Sequence, residues 1–239
     1  LSRYISRTGL EGNPVAIGTP LLMAPFYAAA FVADRLLDPA GLDIGGNGYG
    51  GIYAYTFPFG SLFYGYLTGR MIIALLQKHN LRGRPEFPLL HVMLGTPFLF
   101  YMAVHYQLSH LCSAFSVTLF LYTWEKICGD ATTADRYAAF GLAGALSGLA
   151  IRVRTQNGLF WIIPCWFFLS RFRKTRAGGK ILAQGICFLA GAFVTVLPQM
   201  TVWKILNGHW IHTPEAANID IFQIHLLETL TSSYHGLFF

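Results

Sequence analysis

Residues 137–157 read YAAFGLAGALSGLAIRVRTQN. The run from Tyr137 to Ile151 is uncharged and rich in Gly and Ala, and it passes straight into the polar turn Arg152-Val153-Arg154-Thr155-Gln156-Asn157. A second apolar run, Asn157 to Ser170, follows at once. Two apolar runs joined by so short a turn predict a helical hairpin in a membrane. Each run is only about 14 or 15 residues, so at 1.5 Å per residue it covers roughly 22 Å of a 30 Å hydrocarbon core. The turn is therefore expected below the outer membrane surface, where a guanidinium is costly unless it meets water, an anion or a protein partner.

The surrounding chain agrees with a membrane environment. Of 239 residues, 54% are apolar and only 12% charged, whereas a soluble domain is near a quarter charged. With aromatics at 15% and mean hydropathy +0.47, one water-soluble core would leave large apolar areas exposed. The expected class is an all-α, polytopic transmembrane helix bundle. Disordered, collagenous and disulfide-scaffold classes are excluded. Six stretches approach the length of a span: Ile52 to Leu76, Pro88 to His105, Leu108 to Trp124, Tyr137 to Ile151, Asn157 to Ser170, and Ile181 to Trp203. A seventh, Pro14 to Ala33, holds Pro14, Pro20 and Pro25, which argue against a straight span and leave an interfacial or re-entrant helix open. Three regions follow: an outer-face segment at 1–51, the six-span bundle at 52–203, and an outer-face segment at 204–239. Within the last, Ile219 to Leu230 has apolar residues at near-helical spacing and predicts an interfacial helix.

The net charge of +6 invites a nucleic-acid reading, but the basic residues form no single patch. They gather between apolar runs, in Lys78, Arg82 and Arg84, in Lys126 and Arg136, and in Arg171, Arg173, Lys174, Arg176 and Lys180. These loops share one side of a six-span arrangement, near +6, while the other side is near −1. That bias is the positive-inside signature, so the basic side is cytoplasmic and nucleic acid is not the natural partner. Gly65-x-x-x-Gly69 and Gly144-x-x-x-Gly148 are candidate sites of close helix approach. Cys112, Cys128, Cys165 and Cys187 lack metal-like spacing and are expected to be buried thiols.

On the opposite side, Arg152 and Arg154 are candidates to grip a phosphate, because guanidinium matches phosphate oxygens bidentately. Gln156 and Asn157 would add hydrogen bonds to hydroxyls. The alternative is that the arginines snorkel to headgroups and only end the helix. A second polar turn on this side, His105-Tyr106-Gln107-Leu108-Ser109-His110, offers His105 and His110 as base or metal ligand and Ser109 as a supporting group; an ordinary interfacial belt is its bland account. Neither turn holds a carboxylate, so a general base or metal site on this face would need groups from elsewhere; the cofactor is left open, with a divalent cation among the options. Asp34, Asp38 and Asp43 are outer acids, with solvation as their default. Gly46-Asn47-Gly48-Tyr49-Gly50-Gly51 satisfies G-x-G-x-x-G without a βαβ context and reads as an outer loop. No Walker lysine motif or G-x-S-x-G elbow occurs.

The order of short motifs resembles a family. Asn13-Pro14 through Gly18-Thr19-Pro20-Leu21-Leu22 and Ala24-Pro25-Phe26 is followed by Gly95-Thr96-Pro97 and Leu108-Ser109-His110. The Gly/Ala-rich helix Gly141 to Ala150 then runs into Arg152-x-Arg154-x-Gln156-Asn157, and Ser232-Ser233-x-His235-Gly236-Leu237-Phe238 closes the series. Together these resemble bacterial multi-span C-type membrane glycosyltransferases, in the group of protein mannosyltransferases and aminoarabinose transferases. The resemblance implies transfer of a sugar from a polyprenyl-phosphate-linked donor to an acceptor on the periplasmic or exterior face of the inner (plasma) membrane. It also implies a catalytic carboxylate in the first outer loop, upstream of Leu1; the first and last residues read as the edges of an internal piece of a longer chain. The competing class is a transporter or lipid flippase for an anionic substrate, which would need a polar path inward and favours internal repeats. A non-catalytic membrane scaffold would tolerate substitution in both polar turns.

Overall fold

The computed structural model describes residues 5, 6, 8–10, 16–37, 48, 50–79, 84, 86–106, 109–129, 136–174 and 178–211. Among them every regular element is helical: α1 (Gly18–Leu37), a 3-10 helix (Gly51–Tyr55), α2 (Thr56–Lys78), α3 (Glu86–Gly95), α4 (Phe98–Ala103), α5 (His110–Gly129), α6 (Tyr137–Val153), a second 3-10 helix (Thr155–Trp161), α7 (Ile162–Lys174) and α8 (Gly178–Asn207). Three of these segments, Gly18–Leu37, Gly51–Lys78 and Gly178–Asn207, are long and apolar enough to cross a membrane. Contacts divide the chain into two units, Val15–Val202 and the pair Leu1–Pro14 with Trp203–Phe239.

In the larger unit the helices alternate in direction. At one end of α2, Lys78 Nζ meets Glu125 Oε2 of α5 at 3.0 Å; further back, Tyr64 and Phe115 rings lie 4.5 Å apart, so α2 and α5 run parallel. Between them α3 and α4 return along α2, with Leu89 against Gly69 and Ser61 Oγ donating to the Tyr106 carbonyl at 3.1 Å. Helix α6 runs back against α5, since Trp124 meets Phe140 near one end and His110 meets Arg154 at the other. The second 3-10 helix and α7 then follow α5 again, from Asn157 beside Ser113 to Phe167 beside Trp124.

Two kinds of contact hold this arrangement. In lipid, helices gain nothing from hiding apolar side chains from one another, so close packing decides. Phe140 is fully buried, edge-on to Trp124 and tilted against Phe167 and Phe168, and an edge-on aromatic pair adds about 0.5–1.5 kcal/mol. Against α8, Gly144 faces the Phe188 backbone, Gly148 faces Ala192, and Gly191 faces Gly141, at distances where any Cβ would collide. The outer face of α8 presents Leu182, Ile186, Leu189, Phe193 and Leu197, spaced three or four residues apart as one stripe facing away from the bundle.

Several expectations need revision. The run Pro88 to His105 is two helices, because the chain bends at Thr96 and Pro97 between α3 and α4, and neither has a buried residue. Pro14 to Ala33 gives way to a helix over Gly18–Leu37 that keeps Pro25 inside it. Its direction matters: Gly18 lies on the Arg152 backbone, Tyr64 Oη donates to the Leu22 carbonyl at 2.6 Å, and Asp34 accepts from Tyr53 Oη at 3.1 Å. Helix α1 therefore starts level with Arg152 and runs outward along the first half of the Gly51–Lys78 segment. The run starting at Asn157 is not short, since seven residues of 3-10 helix and thirteen of α-helix together span about 33 Å. Helix α6, at 17 residues, is only about 25 Å long. Cys112 is buried, but Cys128 and Cys165 are exposed and all four thiols are free.

In the smaller unit, residues 5, 6, 8–10 and 203–211 are described. Thr8 Oγ1 donates to the Leu206 carbonyl at 2.6 Å, and Gly208 (φ +78°) takes the left-handed conformation that closes a helix. The expectations for Asp38, Asp43, Ile219 to Leu230 and Ser232 to Phe238 lie outside the described residues.

The α6–α8 contact yields a prediction. Gly144→Val places methyls against the Phe188 backbone and lowers stability by about 1–3 kcal/mol, read as a lower thermal midpoint in detergent. Gly185→Ala, which has open space around it, leaves the midpoint unchanged or raises it.

Candidate functional site

The polar turn is built where α6 stops. Arg154 takes an extended conformation (φ −149°, ψ 124°), breaking the helix before the 3-10 segment. The Ala150 carbonyl accepts the Arg154 backbone N–H at 3.1 Å, and Asn157 adds a second hydrogen bond to the same oxygen: its Nδ2 donates to the Ala150 carbonyl at 2.9 Å. The same amide pairs with α5, accepting from Ser113 Oγ at 3.0 Å. The Asn157 side chain is buried and its oxygen and nitrogen are both engaged. It is therefore a structural cap, and the role of hydroxyl ligand read from its position is taken up by the fold.

Arg152 is the opposite case. It is 8% exposed, and its Nε is enclosed without a hydrogen-bond partner. Burying such a group unpaired is expensive, since a charge taken out of water needs either an ion pair or several hydrogen bonds. Around it the first turn of α1 closes in. Gly18 packs on the Arg152 and Val153 main chain too closely for any side chain. Ile17 N–H donates to Gln199 Oε1 of α8 at 2.7 Å. Thr19, also buried, has an Oγ1 with no partner. Three helices thus meet at the Arg152 end of α6, and the guanidinium there carries donors that the described protein groups do not use.

Arg154 is half-buried and committed elsewhere. Its Nη1 lies 2.6 Å from His110 Nδ1, and the His110 ring stacks on Tyr101 with centroids 4.1 Å apart and planes 21° off parallel. Of the other residues read from the sequence, Ser109 is half-buried and its carbonyl starts the α5 ladder, accepting from Ser113 N–H at 2.9 Å. His105 is exposed beside Phe100, and Gln156 is exposed on the 3-10 helix. The two polar turns do converge, through Arg154 with His110 and through Asn157 with Ser113.

Tyr101, Ser113, Thr19 and Gln199 complete the cluster and were not read from the sequence. Ser113 was within reach, being three residues after His110 and so on the same face of a helix. Gln199 is a lone amide next to Pro198 in an apolar run. Thr19 and Tyr101 carry no local signal. Among the described residues, no three His, Cys, Asp or Glu side chains come together as a metal site, and Glu125 is held at the far end of the bundle by Lys78 and His79.

Asn157→Ala removes the second hydrogen bond to the Ala150 carbonyl and leaves the Ser113 hydroxyl without its Asn157 partner, costing about 1–3 kcal/mol in thermal or denaturant unfolding, whereas Gln156→Ala leaves stability unchanged. Comparison with protein-family models, with curated proteins and with solved structures finds no match for this chain.

Proposed function

We propose that this chain is the lipid-donor-binding part of an integral-membrane glycosyltransferase of the C-type membrane fold. It would bind a polyprenyl-phosphate-linked sugar and serve its transfer to an acceptor on the extracytoplasmic face. The observation that carries this reading is Arg152, 8% exposed and lacking a partner at Nε, at the end of a 17-residue apolar helix. A cation at that depth is disfavoured unless an anion completes it, and a lipid phosphate reaches that depth with its chain in the bilayer.

The six-span arrangement is part of the proposal. It is supported by the alternating directions of α2, the α3–α4 pair, α5, α6, the 3-10/α7 segment and α8. It is supported too by the placement of Lys78 and Lys126 at one end and Arg152 and Arg154 at the other. By the positive-inside rule the former end is cytoplasmic, which puts the arginine turn towards the periplasm or exterior of the inner membrane.

The chemistry follows from the donor. A carboxylate, expected from a loop upstream of Leu1, takes the proton of the acceptor hydroxyl; the acceptor oxygen attacks the anomeric carbon, and the bond from that carbon to the phosphate oxygen breaks. Negative charge grows on the leaving phosphate, and a guanidinium already desolvated beside it stabilises that charge without reorganising water.

The test is binding and turnover of a polyprenyl-phosphate sugar by the full-length protein in nanodiscs. Arg152→Ala is expected to weaken donor binding and slow transfer by at least tenfold with the fold intact by circular dichroism. Undiminished binding and transfer contradict the reading. Rapid movement of labelled lipid phosphate between leaflets, without transfer, would assign the protein to the flippase class instead.

A further inference from the structure

Arg154 and His110 constrain each other in a way that the anion reading leaves unused. A guanidinium has five N–H donors and no acceptor. With Arg154 Nη1 at 2.6 Å from His110 Nδ1, the hydrogen bond runs from arginine to imidazole, so Nδ1 is the unprotonated nitrogen. A neutral imidazole with a free lone pair on Nδ1 carries its proton on Nε2. A second proton on the ring would require Nδ1–H to face an N–H of a cation. Stacking on Tyr101, 4.1 Å away and 21° from parallel, fixes the ring plane. His110 is the first residue of α5, so its backbone is set by the helix as well.

The result is a histidine held in one tautomer, one ring nitrogen occupied and Nε2–H without a protein partner among the described residues. We propose that His110 Nε2–H is a neutral hydrogen-bond donor to a phosphoryl oxygen of the lipid phosphate, and that Arg154 is its positioning residue rather than a second arm of an arginine clamp. The inference rests on the lipid-phosphate reading of Arg152 and divides the labour at the turn. Arg152 supplies charge to the anion. Arg154, two residues on, spends its Nη1 hydrogen bond on fixing the imidazole. A neutral donor suits this position, because the phosphate needs hydrogen bonds on several oxygens while a third cation at the same depth would add its own desolvation cost.

Two measurements on the full-length protein test this. The first needs no ligand: nitrogen-15 NMR of histidine-labelled protein, with His110→Gln used to assign the resonance. Protonated Nε2 and bare Nδ1 are expected in the wild type, and a mixed-tautomer signal in Arg154→Met. A His110 protonated at Nδ1 overturns the proposal. The second is binding of farnesyl phosphate in detergent, followed by phosphorus NMR. His110→Ala is expected to weaken binding about tenfold, the worth of one good hydrogen bond to a charged acceptor. His110→Gln, whose amide nitrogen falls near the Nε2 position, is expected to restore most of it, and His110→Asn is not. If His110→Ala binds like the wild type while Arg152→Ala does not, the donor role is wrong and the anion site stands. If the wild type itself fails to bind farnesyl phosphate, both are wrong.

Discussion

The guanidinium of Arg152, enclosed at the end of an apolar helix with no partner for its Nε, is the constraint around which the described structure is arranged. Helix α6 is too short to carry its C-terminal residues to the surface of a bilayer core, at about 25 Å against 30 Å. The 3-10 segment, longer than such helices usually run, makes up length towards α7. Asn157 ties the 3-10 segment back to the helix end through a second hydrogen bond on the Ala150 carbonyl. The first turn of α1 lies against the Arg152–Val153 main chain, which only glycine at position 18 permits.

Stability and function pull in different directions at this turn. Buried Asn157 and half-buried Ser113 form a closed polar pair, and such a pair rigidifies the junction of α5, α6 and the 3-10 helix. Arg152 and Thr19 retain unsatisfied polar atoms, and an unsatisfied buried polar group costs free energy until something binds it. Under the proposed lipid-phosphate reading, that cost is recovered as affinity when the anion binds. The aromatic cluster around Phe140 lies towards the other end of α6, whereas close backbone packing runs along the helix from Gly141 and Gly144 through Gly148 to the contact of Gly18 with Arg152.

Much of this was legible in the sequence, and the limits have physical causes. The apolar runs gave the helices, and the abrupt change at Ile151–Arg152 marked the polar turn, because chain composition alone reports which segments avoid water. The bend at Thr96–Pro97 had a signal in Gly95-Thr96-Pro97, since proline kinks or ends a helix, but hydropathy averaged over Pro88 to His105 does not register it. The role of Asn157 was misread for a different reason: whether an amide faces a ligand or a helix end depends on Ser113, 44 residues away, and no local pattern encodes that pairing. His110 and Arg154 were each picked out and placed on one side of the membrane. Their contact required the antiparallel register of α5 and α6, and it is the basis for proposing Arg154 as a support rather than a ligand group. The outward course of α1 was hidden because its composition suits a spanning helix; only its contacts with Tyr64, Tyr53 and the Arg152 backbone reveal where it begins.

The central claim is one of depth: the Arg152 turn lies inside the hydrocarbon boundary and is nevertheless polar. A nitroxide placed at exposed Gln156 by Gln156→Cys, in a variant whose exposed Cys128 and Cys165 are replaced by serine, tests it by power-saturation EPR in a lipid bilayer. The account predicts a label several ångströms below the phosphate level, yet accessible to a water-soluble relaxation agent. A label at or above the headgroups would contradict it.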